Sequence, residues 1–239
     1  MKKILFKRLD DLYHHAADFF SQQADLSIRK SGCFIVLLSG GETPLPLYRL
    51  LAQDPWRSQV DWANVFVGWS DERCVPPTHE SSNYRAADEA FLSHIAIPEN
   101  HVFRIEGERN PLDAANTYES QLQELIHDDI GIDLTLLGMG ADGHTASIFP
   151  ASEALHEDKH WFVPVNVPEM AQPQRITATL SFLNQCRRAV FLVTGKEKTH
   201  ALARIQNGMM LPAGLIRPQR GSAIWLVDQA ASSQSKEND

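Results

Sequence analysis

Short apolar runs alternate along the chain with longer segments in which apolar residues recur at helical spacing. Four runs are apolar at nearly every position, which is typical of strands buried on both faces of a sheet. These runs are Cys33–Leu38, Asn64–Trp69, Ile132–Leu137 and Ala189–Thr194. The clearest helical segments are Pro44–Ala52, Tyr84–His94, Leu112–His127 and Lys196–Gln206. The pattern therefore predicts strands and helices in alternation.

Alternating strands and helices imply βαβ units and hence an α/β fold. We expect a mostly parallel, doubly wound, Rossmann-like sheet with helices on both faces. The 239 residues contain no internal repeat and no linker rich in Pro, Gly or Ser. The sequence therefore predicts a single domain over residues 1–231, followed by a flexible polar tail over residues 232–239.

Composition and charge restrict the partners and the location of the protein. The chain is 43% hydrophobic and 22% charged, as globular domains are, and its formal net charge is −8. That charge argues against nucleic acid or an anionic membrane as a partner, and no apolar run approaches the ~20 residues of a membrane span. Three cysteines without C-x-x-C spacing and the early acidic turn of MKKILFKRLDD favour a reduced, cytoplasmic protein. We expect a monomer or a weak homo-oligomer.

The loops that follow the apolar runs hold most of the unusual chemistry in the chain. They read SGGETP, SDERCVPP, GMGADGHTAS and GKEK. Ligands of open α/β sheets bind beyond the carboxyl ends of the strands, so these four loops form the candidate site.

Three glycines in the third loop match the G-x-G-x-x-G spacing: Gly138, Gly140 and Gly143. A dinucleotide site would need this turn to open a long helix, usually in the first βα unit. The motif comes instead after more than half of the chain, and Asp142 would place a carboxylate against the pyrophosphate. The glycines more simply allow a sharp turn that leaves room for a ligand beside His144.

The segment His156–His160 reads HEDKH and formally matches the zinc motif H-E-x-x-H. That motif needs a well-packed helix to hold both imidazoles on one face. The flanking residues support only a short helix that soon becomes a strand, so we interpret the segment as a solvated surface run.

The first loop is a glycine-rich turn before a helix, where backbone N–H groups favour a phosphate. Gly40 and Gly41 supply the turn and Thr43 adds a hydroxyl, although a plain strand-to-helix turn would read the same way. Arg73 follows the second run directly and suits bidentate phosphate binding. An internal Asp71–Arg73 salt bridge is the alternative. Further cations at strand edges are Arg175 and Lys198, each of which would be an ordinary surface residue if it stood alone.

His144 ends a strand, follows a glycine and lies two residues from Asp142. Histidine is the natural general base at neutral pH. The G-x-S-x-G turn of serine hydrolases does not occur, so the residues favour acid–base chemistry on a small phosphorylated molecule.

With these loops in view, the chain resembles the 6-phosphogluconolactonases of the α/β type, which share a fold with glucosamine-6-phosphate deaminases. The matching stretches are LSGGETPLPLYRLLA, VGWSDERCVPPTHESSNY, LTLLGMGADGHTASIFP, RITATLSFLN, VTGKEKTHAL and AIWLVDQAA. These stretches cover most of the chain, and the second and third are specific to the lactonases. Glu42 departs from the family, which more often has a small or basic residue there.

The resemblance implies hydrolysis of 6-phosphogluconolactone to 6-phosphogluconate in the oxidative pentose phosphate pathway, with no metal and no cofactor. It implies His144 as the general base that activates water, with Asp142 orienting or polarising it. The residues implied to bind the substrate and its phosphate are Gly40, Gly41, Thr43, Asp71, Arg73, Arg175 and Lys198.

Two alternatives remain beside the lactonase. One is an amino-sugar-phosphate deaminase or isomerase, which the shared SGG-x-TP and D-G-H motifs would allow. The other is a non-catalytic sugar-phosphate sensor, although only about thirty residues precede the first buried strand and they do not read as a basic helix-turn-helix.

Overall fold

The computed structural model describes residues 2–126, 130–219 and 221–233. The strands are β1 Lys2–Phe6, β2 Phe34–Leu38, β3 Val65–Trp69, β4 Asp71–Arg73, β5 Leu134–Leu137, β6 Phe162–Asn166, β7 Gln174–Ala178, β8 Arg188–Val193 and β9 Ser222–Asp228. The helices are α1 Leu9–Ser31, α2 Leu45–Leu51, α3 Trp56–Gln59, α4 Asn83–Ala90, α5 Pro111–Leu125, α6 Leu180–Leu183, α7 Thr199–Gln206, α8 Pro212–Leu215 and α9 Gln229–Ser232.

The main sheet has six parallel strands in the order β1-β9-β8-β5-β2-β3. Every residue of β2 and β5 is buried, so both faces of the sheet are covered at its centre. From β2 the chain moves outward to β3 and then returns past β2 to β5, β8 and β9. The direction of winding therefore reverses between β2 and β5, and such a reversal opens a crevice at the carboxyl ends of the two strands.

A second sheet of three antiparallel strands, in the order β4-β7-β6, adjoins the main one. Ser70 joins the two sheets: its N–H donates to the carbonyl of Leu38 at 2.9 Å, and its own carbonyl accepts from Ala178 N–H at 2.7 Å. The side chain of Glu119 on α5 accepts the N–H groups of Trp161 and Phe162 and so ties the start of β6 to that helix. The second sheet is thus fixed beside the crevice.

The four apolar runs form β2, β3, β5 and β8, with ends that differ by one or two residues from the prediction. The four predicted helices form α2, α4, α5 and α7; 3₁₀ turns at residues 92–94 and 196–198 replace part of the second and fourth. The α/β class with a mostly parallel sheet and a single domain is confirmed. The antiparallel sheet was not predicted.

The longest helix, α1, has 23 residues and packs against β2 and β9. Among the described residues, no helix combines the length and the apolar character that crossing a membrane requires. The cytoplasmic location stays a prediction, as do the domain boundaries. Residues 234–239 of the proposed tail and His127 of the predicted third helix lie outside the described residues.

Candidate active site

A cleft of about 390 Å³ lies at the crevice between β2 and β5. The loops that follow these two strands form its walls, together with β4, β7 and the turn after β8. Eight of the nine predicted site residues line this cleft: Gly40, Gly41, Thr43, Asp71, Arg73, His144, Arg175 and Lys198. The ninth, Asp142, contacts His144 from behind. The sequence positions that we singled out separately therefore converge in one place.

The loop after β2 can approach α4 closely because it carries glycine. A Cβ on Gly40 would overlap the side chain of Asn83, and Gly41 has φ +85°, a backbone conformation that L side chains rarely adopt. Asn83 is buried at the start of α4, and its Nδ2 donates to the carbonyl of Asp71 at 2.9 Å. The glycine-rich loop is thus packed against Asn83, which in turn is bonded to the strand that carries Asp71.

The loop after β5 holds His144 and Asp142 together without forming a helix. The imidazole Nδ1 lies 2.6 Å from Oδ1 of Asp142, which also accepts the backbone N–H of His144 at 3.0 Å. A Cβ on Gly140 would overlap the imidazole, and Gly143 turns the backbone at φ +88°. These two glycines therefore serve a tight turn around the histidine, and the third glycine of the motif, Gly138, has no other group near its missing side chain.

The protonation state of the pair follows from the geometry. Burial would raise the pKa of Asp142, but the hydrogen bonds from the side chain and backbone of His144 outweigh burial and hold this pKa below its usual value. At neutral pH Asp142 is therefore a carboxylate, which can only accept hydrogen bonds. The proton of a neutral imidazole accordingly sits on Nδ1, and Nε2 keeps its lone pair.

Two arginines face each other across the second sheet. Arg73 on β4 is the register partner of Arg175 on β7, and both line the cleft. Like charges placed directly opposite each other repel. Burial lowers the pKa of Arg175, and the charge of Arg73 lowers it further.

Neither arginine forms an ion pair with a carboxylate of the described residues. Arg73 donates to the carbonyl of Ser81, and its buried Nε finds no partner in the described part of the chain. Arg175 donates to the carbonyl of Gln172 at 3.0 Å and, at 3.4 Å, to Oγ of Ser147. The alternative Asp71–Arg73 salt bridge is therefore wrong for the described residues, and both arginines line the cleft without a carboxylate at ion-pair distance.

Asp71 belongs to a buried polar network rather than to an ion pair. Its Oδ2 accepts the hydroxyl of Ser147 at 2.7 Å, and the backbone N–H of Ser147 donates to Oγ1 of Thr177 at 3.1 Å. Ser147 has no exposed surface. The residue before it, Ala146, has φ +48°, and this strained turn aims the hydroxyl at Asp71.

Lys198 enters the cleft from the turn after β8, and 19% of its side chain is exposed. Its Nζ lies 3.7 Å from Oε1 of Glu197. The turn is anchored by Asp228 at the end of β9, which accepts the N–H of Gly195 at 3.1 Å. Lys198 is therefore the third cation of the site.

The HEDKH segment lies outside the cleft and is not helical. Glu157 accepts the backbone N–H groups of Lys159 and His160 at 2.7 and 3.0 Å, as in a surface turn. The helix that an H-E-x-x-H zinc site requires is not formed there.

Known proteins resemble this chain in both sequence and fold. The sequence profile of the glucosamine-6-phosphate isomerases/6-phosphogluconolactonase family matches residues 7–225. The chain belongs to this family. The 6-phosphogluconolactonase of Haemophilus influenzae is 35% identical over 91% of this chain and 94% of its own length. A probable 6-phosphogluconolactonase of rice is 34% identical over 98% of this chain and 90% of its own length.

The fold agrees with that of solved structures. The crystal structure of 6-phosphogluconolactonase from Thermotoga maritima superposes with a TM-score of 0.85 at 28% identity, covering 95% of this chain and all of that one. A structure called devB protein gives a TM-score of 0.88 at 30% identity, covering 96% and 97% of the two chains.

Sequence reasoning missed several polar residues in and around the cleft, and Ser39, Asn83 and Ser147 are three of them. Ser39 and Asn83 line it, and each has a buried side-chain oxygen without a partner among the described residues. Ser147 lies behind the lining and joins Asp71 to Arg175. These residues belong to the motifs SGG, SSNY and TAS, but the spacing of the motifs along the chain does not predict that the three side chains lie near the cleft.

Proposed function

We propose that the protein hydrolyses 6-phosphogluconolactone to 6-phosphogluconate, with His144 as the general base. The names of the relatives from Haemophilus influenzae and rice support the choice of reaction. The cleft supports the choice of substrate class, because a phosphorylated sugar lactone offers an anion at one end and an electrophilic carbonyl at the other.

The observation that carries this proposal is the arrangement of charge around the cleft. Arg73 and Arg175 face each other without a carboxylate partner in the described residues, and Lys198 reaches the same cleft. A dianionic phosphate between these cations would remove the repulsion between the two guanidinium groups. A neutral ligand would leave this repulsion in place.

Water attack on the lactone carbonyl is the first chemical step of the proposed reaction. Nε2 of His144 accepts a proton from the water as its oxygen bonds to C1, and the carbonyl becomes a tetrahedral oxyanion. Oδ1 of Asp142 lies 2.6 Å from Nδ1 and accepts the proton that Nδ1 carries, so Nε2 stays free for this transfer. The adjacent carboxylate also stabilises the imidazolium that forms.

Collapse of the tetrahedral intermediate then breaks the bond between C1 and the ring oxygen. The imidazolium returns its proton to the departing oxygen, so that one histidine serves both steps. The single product carries a carboxylic acid group, which ionises at neutral pH, and a free hydroxyl group where the ring oxygen was. The phosphate contacts do not take part in bond breaking; they hold the carbonyl near the water in an attack geometry.

The test uses lactone generated in situ from glucose 6-phosphate by its dehydrogenase. Lactone disappearance is followed with and without the protein, because the lactone also hydrolyses spontaneously. We expect hydrolysis well above the spontaneous rate. Hydrolysis at the spontaneous rate with correctly folded protein would contradict the proposal.

A further inference from the structure

The imidazole of His144 is held by a group that the proposed reaction does not use. The phenyl ring of Phe149 stacks on it with ring centroids 4.1 Å apart and planes inclined by 29°. Asp142 holds the ring at Nδ1, and Gly140 lies against its edge. The histidine is thus fixed by one hydrogen bond, one backbone contact and one aromatic face.

The hydrogen bond alone is a weak restraint on the ring plane. The side chain of Asp142 is 46% exposed, so water competes for its oxygen atoms. A bond at Nδ1 also fixes only one atom of the imidazole, and the ring can still rock about its Cβ–Cγ bond. The phenyl face blocks this motion because rocking would drive the two rings into each other.

Phe149 also forms a wall between two spaces. His144 lines the cleft, whereas Phe149 lines a neighbouring groove of about 490 Å³ between residues 149–157 and the segment around β6. The groove carries the carboxylates Glu153, Glu157 and Glu169, of which Glu153 and Glu169 are exposed. The phenyl ring therefore stacks on the imidazole and also lines this groove.

We propose that Phe149 is a positioning residue for His144, which keeps the plane of the imidazole fixed and the groove separate from the cleft. This inference rests on the proposed function, because it gives the orientation of the base a role in turnover. Phe149 is not among the residues that line the cleft, so its effect should fall on turnover and not on substrate binding.

The kinetic test compares three substitutions of Phe149. Phe149→Leu keeps an apolar wall without a flat face, and its kcat should fall about 3- to 10-fold, the range that a stacked aromatic pair represents. Phe149→Ala also removes the apolar wall, so the kcat of this variant should fall further. Phe149→Tyr keeps the ring, with room in the groove for its hydroxyl, and should retain most of the turnover. KM should stay within about twofold in all three.

Phe66 offers a matched control, because it stacks on His101 at 3.9 Å and 26° and does not line the cleft. Phe66→Leu should leave kcat and KM as they are in the unsubstituted protein. An unchanged kcat in folded Phe149→Leu, or a raised KM with unchanged kcat, would overturn the proposal.

Proton NMR spectroscopy tests this inference independently of the proposed reaction. Ring protons of His144, assigned by their loss in His144→Ala, should resonate upfield because they lie over the phenyl face. They should move downfield in Phe149→Leu and stay in Phe149→Tyr. If the protein fails to hydrolyse the lactone but these shifts occur, the proposed function fails and the positioning stands. If the shifts do not occur, the positioning by Phe149 is wrong.

Discussion

Asp142 and His144 form the pair on which the proposed chemistry depends. Their interaction should also make the free energy of unfolding depend on pH. The folded pKa of Asp142 lies below its usual value, because hydrogen bonds from His144 outweigh burial. A lowered pKa stabilises the folded state above the unfolded pKa, and that stabilisation is lost as pH falls through the folded pKa.

Asp142→Asn should therefore lower the free energy of unfolding at pH 7 and lower it less at about pH 3, because pH 3 lies below the usual pKa of an unfolded aspartate, where the stabilisation is already being lost. Urea unfolding of both proteins at the two pH values measures the difference. A difference of equal size at both values would mean that the charge of Asp142 does not interact with His144.

The three cations of the cleft should act on phosphorylated substrates alone. Neutralising Arg73, Arg175 or Lys198 with glutamine removes one charge-assisted contact, so kcat/KM for the phosphorylated lactone should fall roughly 10- to 150-fold. Unphosphorylated gluconolactone should be affected much less. Arg104→Gln is the control, since Arg104 pairs with Glu108 on the surface away from the cleft. Equal losses on both lactones would make the cations structural.

At the scale of residues, the sequence predicted the members of the site that follow apolar runs directly. Their position in the chain already implied a place at the carboxyl edge of the sheet. Asn83 and Ser147 could not be predicted in this way, because their contacts depend on how α4 and a strained turn fold back over β4. Such contacts are set by tertiary packing, which local spacing does not encode.

At the scale of elements, Glu72 links β4 to the start of α4. Its carboxylate accepts the backbone N–H groups of Arg73, Asn83 and Tyr84 and the hydroxyl of Ser82, at 2.7 to 3.0 Å. Burial raises the pKa of Glu72, and these hydrogen bonds lower it again in part. The carboxylate thus fixes the helix that carries one wall of the cleft.

Glu72→Gln should destabilise the fold by about 3 kcal/mol, because the new NH₂ group would face donors in a buried site. Glu89→Gln on the same helix is the matched control, since Glu89 forms an exposed pair with Arg85 and should lose at most about 0.5 kcal/mol. Urea unfolding of the two variants decides the matter. An equal loss of unfolding free energy in the two variants would show that Glu72 does not anchor α4.

The elements that the sequence predicted are the ones with a strong local pattern. The central strands are buried on both faces and so read as apolar runs. The edge strand β1 begins KK and is largely exposed, and β4 consists of the charged residues Asp71, Glu72 and Arg73. These strands are defined by their partners, β9 and β7, so no local pattern could reveal them.

At the scale of the whole molecule, family membership leaves open a choice between two reactions. The resemblance to the deaminases implies that those enzymes carry a glutamate after the D-G-H triplet, at the position where this chain has Phe149. A phenyl ring cannot transfer a proton, and in the structure it stacks on His144 instead. We therefore expect no ammonia from glucosamine 6-phosphate under conditions where the lactone is hydrolysed. Ammonia release at a comparable rate, followed with a coupled ammonia assay, would favour the deaminase.

The role of His144 as the base is the central claim, and the turnover of His144→Ala tests it most directly. Asp142, Gly140 and Phe149 hold the imidazole in place, but the side chain itself is half-buried and carries none of the core. The variant should therefore fold with near-normal stability. With the lactone generated in situ, its kcat should be lower by about 10²- to 10⁴-fold, the usual contribution of a positioned base. Near-full turnover in the folded variant would contradict the account.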